Sequence, residues 1–172
     1  MNRLDKEIIK LSDYCKEINY DLKDYLGYKH LNNLSIRFNF KKTNNNIIYK
    51  VNFQFNKFKK EAEYIRKNNI GLPFELNNII ANFVEENYYI NLDLEQNIPD
   101  NYPFEKPIFK LKKCNSNIND YTETIKKLCI KFNKYDNWTA MILSYILFLD
   151  FMILLNKNII INLLSLKTQK YR

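Results

Sequence analysis

Three thiols and one imidazole are the side chains in this sequence best suited to nucleophilic or metal chemistry, and their spacing limits what they can do. Cys15, Cys114 and Cys129 are too widely separated for a C-x-x-C zinc knuckle or a disulfide framework. That usage predicts a reducing compartment. His30 stands alone, without Cys, Asp or Glu at ligand spacing, which argues against His-dependent metal or triad chemistry. No metal and no cofactor is therefore expected, and His30 reads as a surface residue of a loop. Cys129 sits between Leu128 and Ile130 and, on its neighbours alone, reads as a small buried core residue. Cys15 falls in an apolar stripe and reads the same way.

The elements that must position these residues are those of one domain. The chain has 172 residues, with 27 Lys+Arg against 19 Asp+Glu and a formal net charge of +8. Apolar residues at 46% and aromatics at 15% exclude a disordered chain, and only 2 Gly and 4 Pro exclude collagen-like and linker classes. Asn, Lys, Ile, Tyr and Phe dominate while Ala and Gly are scarce, as A+T-rich codon usage would produce, so the basic balance is in part a codon effect. No Arg-rich cluster, RNP-like aromatic box or zinc finger accompanies the charge, and no nucleic-acid partner is expected. Met1 to Lys6 lacks the apolar core of a secretory signal. The most apolar stretch, Trp138 to Leu155, contains Ser144 and Asp150 and follows Asp136. It is read as the buried helix of a cytoplasmic domain rather than as a membrane span.

Leu4, Ile8, Leu11, Cys15, Ile18 and Leu22 recur at alternating steps of four and three, which predicts an amphipathic helix stopped near Gly27. Its other face carries Lys6, Lys10, Asp13, Lys16 and Glu17. Leu34, Ile36, Phe38 and Phe40, then Tyr49, Val51, Phe53 and Phe55, alternate with polar residues across turn residues 43–46. These predict an antiparallel hairpin with one wet face. Residues 57–69 are charged and helix-compatible; Lys57, Lys59 and Lys60 form either a binding patch or a solvated face. Gly71 and Pro73 break that segment, and Ile79–Val84 with Tyr88–Leu94 suggests a second hairpin. Pro99, Pro103 and Pro107 impose a crossing loop, because proline lacks a ladder donor and restricts the residue before it. Ile108, Phe109 and Leu111 resume a strand. The tail around Ile159–Leu166 fits either a strand or a helix.

This order resembles the ubiquitin-conjugating enzyme family, in a divergent form. The family's Pro-x-x-Tyr-Pro-Phe-x-x-Pro loop is matched by Pro99, Tyr102, Pro103, Phe104 and Pro107. Asn117 falls where the family's His-Pro-Asn tripeptide ends, Cys129 where its aliphatic-Cys step falls, and Trp138 where a Trp leads into a helix. The similarity covers about residues 88 to 155, and residues 57–87 read as an insertion. Asn115 and Ser116 replace the His and Pro of the tripeptide. The interval from Asn117 to Cys129 is about four residues longer than is typical. Trp138-Thr139-Ala140-Met141 lacks the proline that shapes a ligase-contacting loop. The Tyr-Pro-x-x-x-Pro signature is shared with the non-catalytic RWD domains of related fold.

The resemblance implies an α+β domain spanning 1–172: an N-terminal helix, an antiparallel β-meander, a Pro-rich crossing loop, a Cys-bearing coil and a buried C-terminal helix. It further implies thioester chemistry. Cys129 would accept the C-terminal acyl group of ubiquitin or a ubiquitin-like protein and pass it to an amine or thiol. Lys126, Lys127 and Lys131 would favour its thiolate, and Asn117 would donate to the oxyanion. The partners would be the ubiquitin-like protein, an activating enzyme meeting the Lys6 and Lys10 face of the first helix, and a ligase. Cys114, Tyr102, Pro107 and Trp138 would be structural. The other reading is a catalytically inactive relative that keeps the sheet as a protein-binding module.

Overall fold

The computed structural model describes residues 2–27, 34–55 and 88–170, with side-chain surroundings for all of them except 16–21 and 161–170. His30, the helix expected over 57–69, the strand expected over Ile79–Val84 and the insertion expected over 57–87 lie outside the described residues. The architecture is α+β. A helix α1 (Arg3–Tyr25) leads into strands β1 (Leu34–Thr43), β2 (Asn46–Phe55), β3 (Tyr88–Asn97) and β4 (Ile108–Ser116), followed by helices α2 (Thr122–Asn133) and α3 (Ser144–Lys170). The strands form one antiparallel sheet in the order β1-β2-β3-β4.

Period-two alternation makes the sheet. Ile36, Phe38, Tyr49, Val51, Phe53, Ile90, Leu92, Leu94, Phe109 and Leu111 are buried on one face, while Arg37, Asn39, Lys50 and Lys110 point to water on the other. Register follows the hairpin turn, with Thr43 opposite Asn46 and Phe38 opposite Val51. A bulge between Asp93 and Leu94 shifts the β3–β4 ladder by one residue.

Helix α1 starts on Asn2, whose side chain accepts the Asp5 N–H at 2.8 Å. It ends before Gly27, which adopts the left-handed φ of 89° that glycine tolerates without strain. Leu11 and Leu22 are buried, and Leu4, Ile8 and Cys15 pack against the core.

Helix α3 lies across the apolar face of the sheet. The Phe148 ring stacks on Tyr49 at 3.8 Å between centroids, and Phe151 packs on Phe109 and Phe132 at 5.1 and 5.2 Å. Its apolarity over 144–160 comes from burial, and no helix among the described residues is long and apolar enough to cross a membrane. The tail over 159–166 belongs to this helix.

Two expectations are corrected here. The helix begins at Ser144, six residues after Trp138, because hydropathy marks where burial starts and a capping group fixes where the helix starts. The coil expected around Cys129 is the helix α2. Ile125, Leu128, Cys129 and Phe132 fall at the steps of one helical face, and all four are buried.

Candidate functional site

The segment carrying the thiol begins where Asp120 accepts the Thr122 N–H at 2.9 Å, a local turn that releases the chain into α2. The paired hydrogen bonds to Thr122 hold the Asp120 carboxyl below its ordinary value. At the other end, the Lys106 ammonium from the Pro-rich loop donates to the carbonyls of Phe132 and Tyr135 at 2.8 and 2.9 Å. It thereby places a charged donor at the helix C-terminus, where a cation is favoured, beside the Tyr135 N–H that the Phe132 carbonyl also accepts at 3.1 Å. The same ammonium lies 4.8 Å from the Phe132 ring centroid. Desolvation there lowers the Lys106 pKa, with Asp136 opposing the shift.

Helix α2 is thus clamped against β4, and Cys129 is on the clamped side. Its side chain is only 3% exposed. The backbone of Leu111 hydrogen-bonds its sulfur, yet burial dominates and pushes the thiol up to about 11. Lys126, Lys127 and Lys131 are all exposed on the outside of the helix, so their charge is spent in water and Lys126 faces Glu123 at 3.8 Å. The activation expected from these lysines is reversed: desolvation, which favours the neutral thiol, outweighs screened surface charge.

Asn117 lies just past the end of β4. Its side-chain oxygen accepts the Tyr89 N–H at 2.8 Å, and its own N–H points to the Tyr89 carbonyl at 3.4 Å. It continues the β3–β4 ladder by one step. Leu111, the backbone partner of the Cys129 sulfur, is six residues back along the strand, a separation of roughly 20 Å at the ordinary rise per residue. The structure does not bring Cys129 and Asn117 together, and the amide oxygen of Asn117 is engaged by the sheet. Cys114 lines a shallow concavity beside Ser116, Asp120 and Thr122, and its thiol is also raised by burial and by Asp120. No disulfide joins the three cysteines.

What the structure does assemble is a polar knot that sequence reasoning missed. Glu7 is 2% exposed, although it lies on a helix with a charged outer face. One carboxylate oxygen accepts the Ser144 N–H at 2.5 Å and so caps α3, while the other accepts the Tyr102 hydroxyl. A negative group at a helix N-terminus meets both orphan donors and the positive end of the dipole. Arg3, one turn before Glu7, approaches the same carboxylate at 3.6 Å, donates to the Ile142 carbonyl and lies 5.4 Å from the Tyr102 ring centroid. Gln96 links this knot to the sheet, donating to the Ser144 carbonyl and accepting from the Tyr49 hydroxyl, each at 3.0 Å. Burial and Glu7 together raise the Tyr102 phenol well above its ordinary value, so it remains a donor. The Arg3-Glu7 pair at helical spacing was the only local signal for any of this.

The Pro-rich loop is fastened by the same knot. The Trp138 indole N–H donates to the Pro103 carbonyl at 3.0 Å, and its ring lies 5.9 Å from Tyr102. The Tyr102–Pro103 peptide is cis. Trp138 and Tyr102 are therefore structural, as the resemblance implied, and Pro107 is buried. The consequence is at the surface. Phe104, next to Pro103, is 81% exposed, and Met141, next to the Arg3-bound Ile142, is 89% exposed. No ligand-grade cluster of His, Cys, Asp and Glu occurs among the described residues. No protein-family model, curated protein or solved structure matches the chain.

Proposed function

We propose that this chain is a non-catalytic protein-binding module whose frame resembles the ubiquitin-conjugating and RWD-type domains. The observation that carries this reading is the position of Cys129. Thioester formation needs an exposed, readily ionised sulfur with an oxyanion donor beside it. Cys129 is 3% exposed on the inner face of a helix, its thiol is pushed up to about 11, and Asn117 lies elsewhere. The binding half of the reading rests on Phe104 and Met141. Two large apolar side chains are held in water on two loops that Trp138, Tyr102, Arg3 and Glu7 fasten in place. A rigid loop presenting an exposed aromatic suits an anchor for a partner's apolar cleft.

Incubation with activating enzyme, ATP and ubiquitin tests the chemistry. The expected result is no thiol-reducible adduct, with wild type and Cys129→Ala indistinguishable while a control conjugating enzyme charges fully. An adduct present in wild type and Cys114→Ser but lost in Cys129→Ala would establish the thioester enzyme instead.

A further inference from the structure

The outer face of the sheet, opposite the core, carries exposed polar and charged side chains. Its cross-strand rows follow from the register. Arg37, Asn52, Asn91 and Asn115 form one row, and Asn39, Lys50, Asp93 and Lys113 the next. Lys41, Ile48, Glu95 and Lys110 form a third. With Lys112 at the bulge, this one face gathers six cationic side chains against the two carboxylates Asp93 and Glu95, and all six cations are exposed. Glu95 is neutralised by Lys112 at 3.4 Å. A concavity of about 440 Å³ lies across the first two rows, lined by Arg37, Asn39, Lys50, Asn52, Asn91 and Asp93. The Asn52 amide donates to the Asn91 carbonyl oxygen across it, so the floor is a set of ordered amides.

We propose that this sheet face docks a predominantly acidic protein surface, with Arg37 and Lys50 as its central contacts. The chemistry distinguishes the occupant from a nucleic acid. A phosphate backbone would run into Asp93 in the middle of the second row. The concavity itself offers bases no stacking platform, because Phe38 in its lining is buried towards the core and the exposed Tyr89 lies one row beyond it. An acidic polypeptide meets neither obstacle. Its carboxylates pair with the flanking cations, its backbone amides suit the asparagine floor, and an occasional basic residue accommodates Asp93. This face is separate from the Phe104 and Met141 loops, so the inference stands or falls independently of the charging result.

The test uses the full chain and fluorescence anisotropy of two labelled probes, a Glu-rich dodecapeptide and a single-stranded oligothymidine, at two salt concentrations. The face variant is Arg37→Glu with Lys50→Glu. The control, Lys127→Glu with Lys131→Glu on the exposed side of α2, has the same net charge. The expected result is salt-sensitive peptide binding, weakened about tenfold or more in the face variant and less than about twofold in the control, with thermal midpoints matching wild type. Equal weakening in both variants would reduce the effect to overall charge and overturn the proposal. So would tighter binding of the oligothymidine than of the peptide, or no peptide binding by wild type. Should the face variant melt early, Arg37→Gln with Lys50→Gln replaces it, against Lys127→Gln with Lys131→Gln of the same net charge, under the same criteria.

Discussion

A cysteine can be chemically ready or structurally settled, and the direction of its pKa separates the two. For Cys129 the folded thiol ionises near 11, against an ordinary value of 9.0. The folded state therefore holds its proton more tightly than the unfolded chain does. Below pH 9 both states keep the proton and the full contribution to stability is present. As pH rises from 9 through 11 the unfolded chain ionises first, and that contribution is lost. Wild type should accordingly lose thermal stability across this window more steeply than Cys129→Ala, measured by melting in matched buffers. Tyr49 and Tyr102, also raised by burial, act in the same direction in both proteins and cancel in the comparison. Parallel profiles would mean that the sulfur already ionises as it does in water. Sequence alone held both readings of this residue. Its neighbours Leu128 and Ile130 suggested burial, and the resemblance to the ubiquitin-conjugating family implied a nucleophile. Only the helical face shared with Ile125 and Phe132 decides between them.

At the scale of elements, the strands and α1 were legible and the starts of α2 and α3 were not, for a physical reason. Alternation in β1, β2 and β3 is local and is enforced by a sheet with one dry face. Helix α2 was hidden because its first turn is polar and the Asn-rich run before it reads as coil; its true signal is four apolar residues spread over eight positions. The start of α3 depends on Glu7, which is 137 residues away in sequence, so no local pattern could have placed it. The contact between α2 and β4 makes its own prediction. Phe109 lies on the open edge of β4, where its N–H donates to the Asn133 side-chain oxygen at 2.8 Å and its carbonyl accepts from the Asn133 amide at 3.0 Å. One side chain thus stands in for a neighbouring strand and shields an edge. Replacing it leaves a donor and an acceptor unpaired in a half-buried place. Asn133→Ala should cost about 2 kcal/mol in urea unfolding and speed amide exchange at Phe109. Unchanged exchange there would mean that water already serves these groups.

For the whole molecule, the question is how the sheet tolerates the long connection between its two central strands. The β2–β3 ladder runs to its end with Phe55 directly opposite Tyr88, so residues 56–87 leave and return at adjacent positions. A two-residue Asn-Gly turn suffices to close such a pair. Closing a loop of 32 residues rather than two costs about 2.5 kcal/mol in chain entropy, since the penalty grows as 1.5RT ln n. The sheet, the Glu7 knot and the α2 clamp are all built from the described residues on either side of this connection. The strands and the Pro-rich loop were legible from the sequence because each has its own period or its own prolines, whereas the knot and the clamp join residues far apart in the chain and left no local pattern. The expectation that residues 57–87 are an insertion therefore has a direct consequence. Replacing 56–87 by Asn-Gly should give a folded protein with near-UV circular dichroism preserved and unfolding free energy equal to or above that of wild type. A loss of more than about 3 kcal/mol, despite about 2.5 kcal/mol of closure entropy regained, would show that the segment covers apolar surface worth more than about 5.5 kcal/mol, on the order of 200 Å² or more at the usual burial coefficient. It would then belong to the core of the domain rather than being inserted into it.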